Sequence, residues 1–175
     1  MTIIGGARQG QAAARWLAHH GASVTVNDRR TPEQMASASS ALADTSVKWK
    51  LGGHPFEILD STDIVCLSGG VPLNNPLVVE ALRRGIPQTN DTQIFMEVVP
   101  CKTVGVTGSA GKTTTTLLVG HMARTAIGNK AHVGGNVGDP LLNHVDEMDP
   151  EDLAILEISS FQLGQMTTSP NVAAV

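Results

Sequence analysis

Cysteine is nearly absent: Cys66 and Cys101 are the only two in 175 residues. Both fall in or beside apolar runs. Met1 leads almost directly into a first predicted strand with no secretory signal, so the thiols are expected to be reduced and buried in a cytoplasmic protein. That excludes a disulfide scaffold. The six histidines are scattered as His19-His20, His54, His121, His132 and His144, and none has zinc-ligand spacing with a cysteine. Positive charge is also short: 12 Lys and Arg against 16 Asp and Glu leave a net charge of −4. That argues against a general nucleic-acid binder. No apolar run approaches the ~20 residues of a bilayer span, so no membrane insertion is expected. At 41% hydrophobic and 16% charged residues the composition is that of a soluble globular chain, long enough for one domain or two small ones.

Glycine, with 18 residues, is plentiful and clustered. The densest cluster is Gly105-Val-Thr-Gly-Ser-Ala-Gly-Lys-Thr-Thr114, set between the apolar run Cys101–Val106 and a predicted helix from Thr113 to Ala126. Strand, glycine-rich loop, lysine and threonine at a helix start is the layout of a nucleoside triphosphate site. Gly108 and Gly111 let successive N–H groups converge on phosphate oxygens, and the helix N-terminus adds its positive end. Lys112 can reach the terminal phosphates, and the Thr113 hydroxyl can sit on Mg²⁺. The general pattern G-x-x-x-x-G-K-[ST] would place a further glycine at position 106, where Val stands.

Strands and helices alternate along the chain, which implies parallel sheets covered on both faces. Predicted strands are Thr2–Gly5, Ser23–Asn27, Val47–Leu51, Asp63–Ser68, Ile86–Gln88, Lys102–Thr107, Ala131–Val133, Leu153–Ile158 and Asn171–Val175. Predicted helices are Gln9–His19, Pro32–Ala43, Pro55–Leu59, Pro76–Arg84, Thr92–Val98, Thr113–Ala126 and a short one from Pro140. In the first of these, Ala12, Ala13, Trp16 and Leu17 are expected to form the buried face. A boundary is expected near Val99-Pro100, separating a Rossmann-like parallel α/β domain over 1–98 from a P-loop α/β domain over 99–175. The second is shorter than the roughly 100–150 residues such a domain needs, so it is expected to be incomplete.

A second glycine loop, Gly5-Gly-Ala-Arg-Gln-Gly10, follows the first strand. It approximates G-x-G-x-x-G with Ala7 where the middle glycine should be, and Asp28 ends the second strand where a ribose-binding acid lies in dinucleotide folds. NAD binding, binding of another nucleotide diphosphate and a structural tight turn all remain open. Ala7 counts against NAD, and Arg8, Arg29 and Arg30 favour an anionic ligand, although each alone could be a solvated rim residue. In the second half, Gly134-Gly-Asn-Val-Gly138 fits either backbone passing close to a ligand or a plain turn, and the segment alone leaves both open. Leu153-Ala-Ile-Leu-Glu157 is a hydrophobic strand ending in a carboxylate, where P-loop enzymes hold Mg²⁺.

These stretches together resemble the Mur ligase family, ATP-dependent amide ligases of peptidoglycan synthesis. Thr107-Gly-Ser-Ala-Gly-Lys-Thr-Thr114 is similar to that family's phosphate loop. Gly134-Gly-Asn-Val-Gly138, Glu157-Ile-Ser-Ser-Phe-Gln-Leu163 and Gly70-Val-Pro72 with Asn75-Pro76 resemble the branch that adds D-glutamate. Ala7 and the Ser68-Gly69-Gly70 turn, where the family usually has Ser-Pro-Gly, depart from its pattern. The resemblance implies ATP and Mg²⁺ as cofactors and UDP-N-acetylmuramoyl-L-alanine and D-glutamate as substrates, in a monomer. It implies an ATP site of Gly108, Ser109, Ala110, Gly111, Lys112, Thr113 and Thr114. Lys112 and Glu157 would be catalytic, and Thr113 and Glu157 the metal ligands. It also implies that Arg8, Gln9, Arg29, Arg30 and Gly70 line the UDP pocket, and that Asn136, Ser159 and Gln162 face the muramoyl-alanine part. The family's third domain is missing, so the isolated chain is expected to be inactive. A nucleotide-sugar binding module without turnover, an NAD-dependent oxidoreductase and a generic P-loop kinase are the alternatives.

Overall fold

Short runs of three to five residues give the strands in this chain, and most of them alternate with helices or 3₁₀ turns. The computed structural model describes residues 1–175. It divides into two units, Met1–Asp91 and Thr92–Val175, so the division precedes the Val99-Pro100 step.

The first unit runs β1 (Thr2–Ile4), α1 (Arg8–His19), β2 (Thr25–Asp28), α2 (Ala36–Ala41), β3 (Lys48–Leu51), a 3₁₀ turn (Phe56–Ser61), β4 (Val65–Leu67), α3 (Pro76–Arg83) and β5 (Gln88–Asn90). The strands form one parallel sheet in the order β3-β2-β1-β4-β5. β1 is central and buried throughout, and the order reverses beside it, the position at which open parallel sheets commonly bind ligands. Ile4, Leu59, Val65, Leu67, Leu77, Val78 and Ala81 form the core on one side.

Several elements differ from the sequence reading. α1 buries Gly10, Ala12, Ala13 and Ala14, whereas Trp16 and Leu17 are only half-buried. Small side chains let the helix lie close to the sheet, and Trp16 stacks instead on His20 with ring centroids 4.1 Å apart. The helix expected over Pro32–Ala43 shrinks to α2, because serine competes for backbone hydrogen bonds and neither end of α2 carries a side-chain cap. The strand expected over Ile86–Gln88 moves to Gln88–Asn90. Pro87 has no N–H to give a ladder, and its carbonyl accepts from Val65 N at 2.9 Å. Cys66 and Cys101 are free and buried, as the composition suggested. Burial, with the Asp91 charge adding to it, pushes the Cys66 thiol well up.

The second unit contains β6 (Lys102–Val106), α5 (Lys112–Ile127), β7 (Ala131–Gly135), 3₁₀ turns at Leu141–Asn143 and Val145–Glu147, β8 (Leu153–Glu157), α6 (Ser160–Leu163) and β9 (Val172–Ala174). α4 (Asp91–Val98) begins at the division. The sheet is parallel with order β7-β8-β6-β9. Ala154, Ile155, Leu156 and Ile158 are almost wholly buried, so β8 is the core strand, covered on both faces. No helix is long and apolar enough to cross a membrane.

Candidate functional site

In the second unit the register brings three strand ends together: Val106 of β6 and Gly135 of β7 both stand opposite Glu157 of β8. From Val106 the chain leaves as the loop Thr107–Gly111 and enters the 16-residue α5. Gly111 is its N-cap with φ +76°, a left-handed conformation that glycine adopts without strain. No side chain caps this end and no acid occupies its first turn, so the leading N–H groups and the dipole face a loop open to solvent. Ser109, Ala110, Gly111, Thr113 and Thr114 are exposed there. Lys112 folds over the loop, its Nζ donating to the Gly108 carbonyl at 2.9 Å.

Glu157 is only 3% exposed, yet it is fully engaged. Its Oε2 accepts from Thr113 Oγ1 at 2.5 Å and its Oε1 from Asn136 Nδ2 at 2.9 Å. The Asn136 N–H donates to the Glu157 carbonyl at 2.9 Å. Gly135 makes this fold-back possible. It has φ +95°, and a Cβ there would lie 2.4 Å from the Glu157 carbonyl oxygen. Lys112, Thr113, Asn136 and Glu157, scattered in sequence, therefore share one edge. No group of three or more His, Cys, Asp or Glu could hold a metal. A Mg²⁺ ion needs no such cage, since it binds through one or two protein oxygens, phosphates and water. The Thr113 hydroxyl and the Glu157 carboxylate are hard oxygen donors that fit it.

Ser159 and Gln162 form a capping box at α6. Ser159 Oγ accepts from Gln162 N, and Gln162 Oε1 accepts from Ser159 N at 2.9 Å. Gln162 is 2% exposed and its Nε2 donates to Thr92 Oγ1 at 2.6 Å, so its amide holds the loop after β8 in place. The S-x-x-Q spacing is a readable helix-start signature, and the sequence reading did not extract α6 from it.

In the first unit Arg8 and Gln9 lie in the first turn of α1, which again lacks a side-chain cap and an acid. Ala7 is the N-cap, with extended backbone that asks for no glycine. Asp28, at the end of β2, accepts the Gly6 N–H at 2.8 Å and holds Arg30 in a two-point pair at 3.0 and 2.7 Å. Arg30 is thus committed to Asp28, whereas Arg29 is exposed. Gly70 sits in an exposed turn after β4. Sequence reasoning missed a polar chain, Asn27–His54–Asn75, behind these loops. Asn75 caps α3, with Pro76 at the first helical position.

Burial alone would raise the Asp28 carboxyl, but hydrogen bonds from Arg30 and Gly6, with the Arg30 charge, hold it well below the usual carboxylate range. A depressed folded value means that the stabilisation is complete above the ordinary carboxylate value of about 3.9 and is lost as pH falls below it. Trp16 and Trp49, the only tryptophans, both lie in this unit. Denaturation followed by their fluorescence should show stability falling from about pH 4 downward, and Asp28→Asn should flatten that fall. An equally steep acid loss in the variant would assign it to other carboxylates.

Both units therefore present an uncapped helix N-terminus behind a glycine turn, at the carboxyl edge of a parallel sheet. That defines the class: an α/β protein joining a dinucleotide-type unit to a phosphate-loop unit. Sequence comparison narrows it. The profile "Mur ligase MurD-like, N-terminal domain" matches residues 1–89 and "Mur ligase middle domain" matches 106–175. The chain belongs to the Mur ligase family. The UDP-N-acetylmuramoylalanine–D-glutamate ligase of Salinibacter ruber is 42% identical over 95% of this chain and 36% of its own length. That of Trichlorobacter lovleyi is 38% identical over 99% and 39%. The chain thus spans well under half the length of these relatives. Among solved structures, the UDP-N-acetylmuramate:L-alanyl-gamma-D-glutamyl-meso-diaminopimelate ligase of Neisseria meningitides superposes with a TM-score of 0.59 at 19% identity, over 98% of this chain and 58% of that one. UDP-N-acetylmuramate-alanine ligase of Thermotoga maritima gives 0.53 at 20%, over 90% and 36%. At such identities the likeness shows a shared fold.

Proposed function

We propose that this chain is the nucleotide-binding portion of a ligase that joins D-glutamate to UDP-N-acetylmuramoyl-L-alanine at the expense of ATP. The observation that carries it is the Thr113–Glu157–Asn136 cluster beside the open phosphate loop, in a chain whose relatives bear that activity in their names. In the second unit Gly108, Ser109, Ala110, Gly111 and Thr114 shape the loop whose N–H groups receive phosphate oxygens. Lys112 releases the Gly108 carbonyl and neutralises the terminal phosphates. Thr113 and Glu157 hold Mg²⁺, which when bound supplies charge neutralisation. In the first unit Arg8, Gln9 and Arg29 receive the UDP diphosphate, Gly70 borders it, and Arg30 acts through Asp28 by fixing the strand-end turn. Asn136 and Ser159 meet the muramoyl-alanine moiety, and buried Gln162 sets the loop that carries Ser159.

The chemistry this serves is two displacements. A carboxylate oxygen of the L-alanyl end attacks the γ-phosphorus and ADP leaves. The D-glutamate amine then attacks the acyl carbon, loses a proton, and inorganic phosphate leaves with the bonding pair. Positioning and charge neutralisation are what these residues provide. The nucleotide substrates support a cytoplasmic location.

Calorimetric titration of the chain tests this reading. UDP-N-acetylmuramoyl-L-alanine and MgATP should both bind, and NAD⁺ should not. Glu157→Gln keeps an acceptor for Thr113 but removes the charge, so it should reduce the Mg²⁺-dependent gain in ATP affinity by about tenfold. Binding of NAD⁺ without the UDP compound would instead favour an oxidoreductase-type first unit.

A further inference from the structure

Asn27 is completely buried near the carboxyl end of β2. Its Nδ2 donates to the carbonyls of Lys50 at 2.8 Å and Gly53 at 2.7 Å, which uses both amide hydrogens and leaves Oδ1 as an acceptor. That oxygen lies 2.5 Å from Nδ1 of His54. On the far side, Asn75 Oδ1 accepts the Leu77 N–H at 2.9 Å as the cap of α3. This turns Asn75 Nδ2 toward His54 Nε2, 3.0 Å away. Backbone groups orient both amides, so the ring state follows: Nδ1 carries the proton and Nε2 the lone pair. A proton on Nε2 would meet the Asn75 amide donor against donor.

The chain between these anchors is the Ser68–Asn75 loop, which carries Gly70. Its Val71 packs on the first glycine turn, with Cγ2 2.9 Å from where a Gly5 Cβ would stand. A Cβ at Gly70 would meet nothing within 4 Å. The loop is therefore held at its start by Ser68 N on the Ile4 carbonyl at 3.0 Å, in its middle by Val71 on Gly5, and at its end by Asn75 on His54.

We infer that His54 is a positioning residue, a neutral-imidazole clasp. It ties the ends of β2 and β3 to the Ser68–Asn75 loop and so sets the width of the crevice for a nucleoside diphosphate. The inference rests on the UDP reading of the first unit given above. It involves no contact between His54 and the ligand. The clasp acts by sparing the ligand the cost of ordering the loop.

The probe is UDP alone, titrated into the 175-residue chain and its variants. Asn75→Ser keeps a good helix cap, since serine and asparagine cap about equally well, but serine is too short to reach His54. His54→Ala and Asn75→Ser should each weaken UDP binding roughly three- to tenfold, the range of one hydrogen bond. The double variant should be no weaker than the weaker single one, because both remove the same bridge. MgATP affinity, read in the second unit, should not change. Nitrogen NMR of the imidazole should show the Nδ1–H tautomer, and amide exchange over Gly69–Asn75 should quicken in both variants. An Nε2–H tautomer, additive losses, or a silent Asn75→Ser would overturn the clasp. If the unsubstituted chain fails to bind UDP, the nucleotide reading falls. Unchanged loop exchange would sink the clasp separately, whatever UDP does. Should His54→Ala not fold, Asn75→Ser carries the same comparisons.

Discussion

Replacing Lys112 by alanine is expected to weaken ATP binding by about a hundredfold, the equivalent of one or two charge-assisted hydrogen bonds. The ammonium lies over the glycine loop, bonded to the Gly108 carbonyl at 2.9 Å. The loop therefore presents a charge that moves only a short way to reach a γ-phosphate. Its alternative partner is a single neutral carbonyl, so little is lost on switching. The backbone N–H groups and the α5 N-terminus remain in the variant, which should keep weak binding of ADP. Titration of ATP and ADP into both proteins checks this. A loss of less than fivefold for ATP would mean that the lysine belongs to the loop's architecture and not to its ligand.

Gly10→Ala should destabilise the first unit by about 2–3 kcal/mol, at the upper end of overpacking costs. A Cβ at position 10 would lie 1.9 Å from the Gly5 carbonyl oxygen and 3.1 Å from its carbon. Both are backbone atoms and cannot rotate away. The helix would have to lift off the turn, carrying Arg8 and Gln9 with it and breaking the packing of Ala13 and Ala14. Urea unfolding followed by tryptophan fluorescence reports this unit alone, since Trp16 and Trp49 both lie in it. A midpoint unchanged from the parent would show that the loop yields at no cost.

Much of this was legible beforehand, for identifiable reasons. The phosphate loop could be read because its chemistry is local: glycine spacing, Lys112 and Thr113 are contiguous, and the flanking strand and helix have strong patterns. Gly10 could be read likewise, as the closing glycine of a strand–turn–helix. α2 was overestimated because serines fit a helical pattern without favouring it. Trp16 was misjudged because periodicity marks a face of α1 and not how closely that face approaches the sheet. The expected strand at Ile86–Gln88 shifts to Gln88–Asn90 because Pro87 has no N–H to donate, a constraint already present in the sequence, and the pairing with Val65–Leu67 fixes the final bounds.

The sequence by itself determined the alternation of strands and helices, the family and the residues of both glycine loops, because these depend on propensity and spacing over short stretches. Tertiary structure alone decided which side chains spend their bonding capacity on each other. Arg30 is bound to Asp28, Gln162 is buried on Thr92, Thr113 meets Glu157, and His54 bridges Asn27 and Asn75. Arg30 and Asp28 meet locally in the turn after β2, whereas the other pairings join segments far apart in the chain, and a buried polar group must take whatever partner the fold supplies.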